Sequence, residues 1–583
     1  MLTSEPNPPP AGPETPASPI ALGLSPALDN PCLHPHSATR FVLPFNVFRN
    51  RASGGQSTAT SASPHAPPSY RLATQNDWIL ANKDARFNYL TAETRKVVFE
   101  RAKWLVMDCA PREITMVTPD DRRMNGVVQP PALILFEELD PQAPTAESHH
   151  GPEVLSCGFL VIEVGFCGDS TGTLPIDDIL LFNNLFRHWK EPFETHRERY
   201  KKQIQGFGQL FLEMTGTALA DSSARTKGSD FDPYGDGWMA LLRVPLPDGG
   251  TPLAGFSSTP AELFGGYPDG RAFVWTRVLL REGSDVELIV PGHGKGDKWE
   301  ADVCPTTGFR PMFGYWVKLL NADQPVLVDT DEIPSGYGSG EKTNQTTAFE
   351  RAWAEERTYR RWEHCNCYYG FNYFGGAMMA APQKNSPIWR HWFEMYFDQI
   401  LLLLYLRVTL FRFSSELARN SESLARHATA SEDNTQTWRL NFRNLRKAFT
   451  CFENLYQFPL LSNQQQAVEM YVRARKGMDV DDLYAEIDRE IRSSDELLES
   501  EVEERRSELA TALNHLATFG FGVSAGLSTV QLSVFSDWVK SEMPGQACPM
   551  VQTIIALIFV SLLWCFVFQL GLSTIQEIQK KRK

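Results

Sequence analysis

The stretch "LATALNHLATFGFGVSAGLSTVQLSVFS", Leu509 to Ser536, decides how the C-terminal part of this chain is interpreted. It contains no Asp, Glu, Lys or Arg, and a helix spans a bilayer with roughly 20 apolar residues. Serine, threonine and glycine residues interrupt the apolar ones, and polar side chains in hydrocarbon should face neighbouring helices or water. The stretch therefore predicts a first transmembrane helix at 513–535, which either packs against other helices or lines a pore.

A second apolar stretch, "VQTIIALIFVSLLWCFVFQLGL" at 551–572, predicts an ordinary transmembrane helix. The tail at 573–583 ends in "KKRK", and positive residues beside a span indicate its cytoplasmic side. The short loop between the two stretches, 536–550, has Lys540 as its single cationic residue, so we expect it outside. These features predict an integral membrane protein with both termini in the cytoplasm.

The segment before the first span predicts a long acidic helix. From Asp479 to Glu508 it has thirteen acidic residues and four arginines, a local net charge of −9. Its apolar residues, such as Leu483 and Ile487, fall on one helical stripe. Like charges at this density need water or cations to screen them. We interpret 463–512 as a stalk helix whose charged face is either the solvated side of a coiled coil or a surface that concentrates cations.

The rest of the chain divides into three parts by composition. Residues 1–68 are rich in Pro, Ser, Ala and Thr and are expected to be disordered, with "RFVLPFNVF" as an island able to dock elsewhere. Residues 69–386 mix helical patterns with strand patterns such as "ALILFEEL", "VLSCGFLVIEVGF" and "AFVWTRVLL", which predicts an α/β or α+β domain. Residues 387–462 predict helices, in which the apolar run Ile400–Leu406 is too short for a span and indicates a buried or partner-contacting helix.

The order of these segments resembles that of the CorA family of two-span divalent-cation channels. An acidic helix leads into the first span, and a short loop with Met543 and Pro544 precedes the second span and a basic tail. The resemblance covers residues 387–583. It implies a funnel of five subunits, in which a cytoplasmic α/β domain is followed by long helices and the first span lines the pore.

This chain departs from the family in one respect. The Gly-Met-Asn signature that forms the selectivity ring of CorA channels is absent from the sequence. Membrane effectors linked to type III CRISPR defence are similar in architecture, lack the motif and answer a nucleotide signal. The resemblance therefore implies either a transporter with a different selectivity ring or a gated effector.

Polar residues of the first span are the candidate site residues. Ser524, Ser528 and Gln531 are three and four residues apart and share a helix face, and Asn514 stands at the expected cytoplasmic mouth. Their oxygen atoms suit a hydrated cation such as Mg²⁺, and Asp537 is expected to form an outer ring that attracts cations. The alternative role for these four polar residues is hydrogen bonding between helices. The alternative for Asp537 is that it is an ordinary acidic residue of a loop. No metal ligand is assigned.

The favoured function is passive transport of Mg²⁺ or a related divalent cation through a homo-oligomeric, pentameric pore. No catalytic arrangement or P-loop is recognised, so no enzyme activity is expected, and no cofactor apart from a transported or regulatory cation. The acidic net charge of −14 argues against a nucleic-acid polymer as partner. The expected partners are the membrane, further copies of the chain and divalent cations.

Two alternatives stay open at this point. The first is a ligand-gated membrane effector whose cytoplasmic domain senses a small nucleotide, with "PGHGKGDKW" at 291–299 as one candidate loop. The second is a non-conducting, membrane-anchored binding protein.

Overall fold

The computed structural model divides the chain into two compact units. The first comprises Met1–Glu137, Pro152–Leu403 and Leu460–Met478, and the second comprises Glu138–Gly151, Leu404–Pro459 and Asp479–Lys583. Within them, the structure describes residues 36–48, 68–117, 123–136, 154–167, 176–188, 207, 210–215, 233–247, 271–280, 313–322, 348–365, 367–380, 388–427, 432–456, 458, 460–542 and 558.

The first unit is built around a mixed sheet of eleven described strands. They are β1 (Ala38–Phe48), β2 (Tyr70–Leu72), β3 (Lys103–Met107), β4 (Arg112–Val117), β5 (Arg123–Val128), β6 (Ala132–Leu135), β7 (Val154–Cys167), β8 (Phe273–Leu279), β9 (Thr358–Tyr359), β10 (Cys367–Phe371) and β11 (Gly375–Ala380). The sheet order is β2-β3-β6-β7-β1-β8-β11-β10-β9, and β4 and β5 form a hairpin attached to β7. The β8–β11 pair is parallel, and the other pairs are antiparallel.

Strand β1 corrects one prediction from the sequence. It lies in the middle of the sheet between β7 and β8, although residues 1–68 were expected to be disordered. The physical reason is its alternation: Phe41, Leu43 and Phe45 are buried on one face, and β-branched or aromatic residues at period two favour a strand. Strand β1 is buried by segments that are distant in the sequence. An argument from the composition of residues 1–68 does not detect such partners.

Helices of the first unit cover both sides of this sheet. They are α1 (Lys83–Tyr89), α2 (Ala92–Arg95), α3 (Ile176–Phe186), α4 (Pro233–Leu242), α5 (Phe313–Asn321), α6 (Ala348–Arg357), the start of α7 (Met395–His427) and α9 (Gln465–Gly477). Residues of α3, α4 and α5 form one hydrophobic core with β1, β7 and β8. The predicted mixed α and β character of this region agrees with the mixed sheet.

The second unit is helical. It contains the remainder of α7, α8 (Glu432–Tyr456) and α10 (Val480–Glu542). Phe413 of α7 packs against Phe449 and Phe452 of α8, with ring centroids 5.3 and 5.5 Å apart. Tyr484 of α10 stacks on Phe449, and Ile487 is buried in the same bundle. The apolar stripe of α10 therefore packs against α8 near its start, as expected for an amphipathic helix.

The predicted transmembrane helices are not found. Among the described residues, no helix is long and apolar enough to cross a membrane. Residues 513–535 belong to α10, which continues to Glu542, and the expected second span at 551–572 lies outside the described residues apart from Ile558. The predictions of a fold with two C-terminal transmembrane helices, of a membrane channel and of an integral-membrane location are therefore wrong. Polar residues and glycines within 513–535 lower the mean hydropathy of this segment.

Candidate functional site

The two faces of the sheet differ in chemistry. Arg40 on β1 is directly opposite Glu163 on β7 and Trp275 on β8, so these three side chains share one face. Arg277 on β8 is opposite Ala38 and lies on the same face. We call this side of the sheet the arginine face, and the opposite side, which carries Phe41, the apolar face.

Arg40 lies at the centre of the arginine face. Its Nε donates to Glu163 Oε2 at 2.7 Å, and its Nη1 donates to the carbonyl oxygen of Phe393 at 2.6 Å. The guanidinium also lies over the rings of Phe393 and Phe397, 4.5 and 4.4 Å from their centroids. Burial lowers the pKa of Arg40, and the Glu163 carboxylate opposes that shift. The pair is therefore a closed, buried contact that joins the sheet to the start of α7.

A second buried ion pair lies beside the first. Arg86 Nε and Nη2 donate to the two carboxylate oxygens of Asp398 at 2.9 and 2.5 Å, and Arg86 Nη1 donates to the carbonyl oxygen of Ile79 at 2.7 Å. The side chains of Arg86 and Asp398 are 1% and 0% exposed. Bidentate geometry is the strongest form of this contact, and it fixes the start of α7 against α1.

Stacked aromatic side chains lie on the same face of the sheet as Arg40. Trp275 and Trp392 stack with ring centroids 3.6 Å apart, and Trp392 also stacks on Tyr369 at 5.2 Å. Gly376 on β11 lies under Trp275, where an added Cβ would come within 2.1 Å of the indole ring. The glycine thus makes room for the stacked rings.

Arg277 lies in a different environment from Arg40 and Arg86. Its guanidinium lies over the rings of Phe393 and Trp389, 4.4 and 5.1 Å from their centroids, and its Nε donates to the carbonyl oxygen of His36 at 3.1 Å. Burial lowers the pKa of Arg277 to about 10. No carboxylate lies within ion-pair distance of Arg277 among the described residues. Arg390 lies over the same Trp389 ring, at 5.2 Å.

The four arginines therefore fall into two groups. Arg40 and Arg86 each pair with a carboxylate, whereas the guanidiniums of Arg277 and Arg390 both lie over the Trp389 ring and have no ion pair among the described residues. No group of three or more His, Cys, Asp or Glu side chains suited to a metal ion occurs within the part of the chain that the structure describes.

The predicted site residues all lie on α10. Asn514 is exposed there, and the structure gives only the backbone position of Ser524, Ser528, Gln531 and Asp537, which continue the same helix. Asp537 therefore belongs to the helix and not to a loop that follows it. Their roles in a pore and at its mouth stay predictions. The loop at 291–299 lies outside the described residues.

Sequence reasoning missed the arginine face. Arg40 begins "RFVLPFNVF", the possible docking island of the segment expected to be disordered, and Arg277 lies in "AFVWTRVLL", whose pattern predicts a strand without a site. A charged residue on an otherwise apolar strand was the available signal, because such a residue is seldom buried without a partner. Its partners are far away in sequence, so only the fold identifies them.

A second feature of interest is an apolar stripe on α10. Leu509, Leu513 and Leu516 are 54%, 61% and 43% exposed, although Ile487 and Ile491 of the same helix are buried. We call these three residues the leucine stripe. Large apolar side chains that recur on one helix face without cover indicate an interaction surface.

Comparisons with known proteins add no assignment. No protein-family model matches the chain, and neither a curated protein nor a solved structure matches it. The resemblance to CorA channels accordingly stays a prediction.

Proposed function

We propose that this chain is a self-associating protein, in which the C-terminal half of α10 pairs with the same helix of another copy. The observation that carries the proposal is the exposure of the leucine stripe on a helix that has passed the end of its neighbour in the bundle. The predicted cation channel and its two alternatives all require a membrane-spanning helix, so they are not pursued.

The contacts of α10 indicate where its intramolecular packing ends. Helix α8 runs antiparallel to α10, since Tyr484 stacks on Phe449 and the later Asp495 pairs with the earlier Arg446. Extending the Arg446–Asp495 register brings Glu432, the first residue of α8, beside Leu509, where the leucine stripe begins. At 1.5 Å per residue, the remainder of α10 extends roughly 50 Å further. Helices in proteins gain most of their stability from packing of an apolar face, so this remainder needs a partner for its leucine stripe.

The sequence of this remainder has the repeat of a coiled coil. Beginning with the leucine stripe, residues at alternating spacings of three and four are apolar or glycine: Leu513, Leu516, Gly520, Val523, Leu527, Val530 and Val534. Two or more helices with this spacing pack along a common seam. Glycine at the Gly520 position allows the two backbones to approach closely.

Charge favours a second copy over a different partner. The stretch from Leu509 to Ser536 has no Asp, Glu, Lys or Arg, while the preceding stretch from Asp479 carries a net charge of −9. A basic partner would be drawn to the acidic stretch and not to the uncharged one. An uncharged seam with its own heptad spacing is complementary to itself.

The test is the mass of the purified full chain by size-exclusion chromatography with light scattering. We expect an oligomer, and we expect Leu513→Glu with Leu516→Glu to weaken association by at least ~100-fold, because each change places an unpaired charge in the seam. The matched control is Asn514→Glu with His515→Glu, which adds the same charge at outward positions and should leave the mass unchanged.

Two results would overturn the proposal. One is a wild-type chain that remains monomeric at high micromolar concentration. The other is a control that dissociates as readily as the seam variant, since a general charge effect would then explain both. Circular dichroism of each variant checks that the helices remain folded.

A further inference from the structure

We propose that the edge of the arginine face is a binding site for an oxyanion, in which Arg277 and Arg390 hold the phosphate or carboxylate group of a small planar ligand. This inference concerns the first unit and does not depend on self-association.

The first argument is that Arg277 has no counter-ion within ion-pair distance among the described residues. Its described contacts are one hydrogen bond, to the carbonyl oxygen of His36, and two aromatic rings. A guanidinium has five N–H donors, and a partly buried one favours an anion in its plane. The stacking of Arg277 on Trp389 and Phe393 orients that plane.

The second argument is that Arg390 adds another cation at the same ring. Its guanidinium lies 5.2 Å from the centroid of Trp389, and that of Arg277 lies 5.1 Å from it. Arg390 is exposed, so a ligand can reach its guanidinium from solvent. Two cations held at one ring repel each other, and an anion that contacts both relieves the repulsion.

The third argument is that the nearby carboxylates are already used. Glu163 accepts a hydrogen bond from Arg40 at 2.7 Å, and Glu394 accepts one from Asn82 at 2.5 Å. The charges that act on Arg277 are the carboxylates of Glu163 and Glu394 and the guanidiniums of Arg40 and Arg390. With Arg277 itself, three described cations face two carboxylates, so the site keeps an excess of positive charge that a ligand can neutralise.

The shape of the site suggests the rest of the ligand. His36 is exposed and stacks on Trp389, with ring centroids 5.9 Å apart and planes at 15°. Aromatic and guanidinium planes at one place favour a flat ring beside the anionic group. We therefore expect a ring-bearing oxyanion, such as a nucleoside monophosphate, to bind more tightly than a bare one.

The experiment is isothermal titration calorimetry on the purified full chain with three probes: inorganic phosphate, adenosine monophosphate and succinate. Binding of adenosine monophosphate with weaker phosphate binding supports a ring-bearing phosphate, and binding of succinate in preference identifies a carboxylate. Arg277→Met and Arg390→Met are each expected to weaken binding about tenfold or more, because each removes a charge-assisted contact. Arg277→Lys should lose part of the affinity, since it keeps the charge without the planar fork.

Arg361→Met is the control, because Arg361 forms an ion pair with Glu469 at 2.8 Å away from these rings. It should bind the probes as the wild type does. Since Arg390 is exposed, its variant tests the proposal even if Arg277→Met fails to fold. The proposal fails if none of the three probes binds at millimolar concentration. It also fails if the Arg390→Met variant and the control have the same affinity.

Discussion

The two faces of the central sheet are stabilised in different ways. The apolar face packs residues such as Phe41, Val274 and Phe182 into one hydrophobic core, in which burial of apolar surface provides most of the stabilisation. The arginine face buries Arg40 and Arg86 as deeply, and there each charge depends on one particular carboxylate. A core of the first kind tolerates exchange among apolar residues of similar size, whereas one of the second kind fails when one partner is removed.

The largest effect is expected from Asp398→Ala on the arginine face. The change leaves Arg86 buried without its counter-ion, so the free energy of unfolding should fall by about 3–5 kcal/mol. Urea denaturation followed by circular dichroism measures the loss. A double variant, Arg86→Met with Asp398→Leu, should recover most of the stability because no charge then remains buried. A loss below about 1 kcal/mol for the single variant would contradict the comparison between the two faces.

A smaller loss is expected from Gly376→Ala. The new Cβ would lie 2.1 and 2.4 Å from two atoms of the Trp275 ring, and that ring is held by its stacking on Trp392. Overpacking of this kind costs about 1–3 kcal/mol, and tryptophan fluorescence should report the displaced ring. Gly165→Ala is the comparison, because the nearest atom to its added Cβ is Val127 O at 3.9 Å and a strand gains roughly 0.5–1 kcal/mol from the exchange. Equal losses in the two variants would show that the stacked rings do not limit the space.

The smallest effect is expected from Thr276→Val on the apolar face. Thr276 Oγ1 accepts a hydrogen bond from Asn183 Nδ2 at 2.9 Å and lies 3.1 Å from Thr39 Oγ1. Loss of this neutral contact should cost about 1 kcal/mol, measured by urea denaturation. Thr276→Ser keeps the hydroxyl and serves as the control. A loss as large as that of Asp398→Ala would mean that polar contacts on both faces matter equally.

Part of the fold could be predicted from local pattern. The runs "ALILFEEL", "VLSCGFLVIEVGF" and "AFVWTRVLL" predicted strands, and the structure has β6, β7 and β8 there. The short apolar run Ile400–Leu406 predicted a buried or partner-contacting helix, and its residues are buried in α7. These elements could be predicted because their hydrophobic pattern lies within one short stretch of sequence.

The candidate site could not be predicted in the same way. Arg40 and the carbonyl of Phe393 are 353 residues apart in the chain, and Arg86 and Asp398 are 312 residues apart. A local pattern contains no information about such pairs. The uncharged run from Leu509 led to the wrong prediction of a transmembrane helix for a related reason. A lack of charged residues is expected both for a membrane span and for the seam between two paired helices.

The sequence by itself determined the alternation that forms the strands, the apolar stripe of α10 and its acidic stretch, because each depends on neighbouring residues of one element. Only the tertiary structure decided that β1 lies in the middle of the sheet, that Arg40 and Arg86 form closed ion pairs, and that Arg277 has no carboxylate partner in the described part of the chain. The physical reason is that burial and charge pairing depend on which distant segments of the chain are in contact. Those contacts arise from the packing of the whole unit.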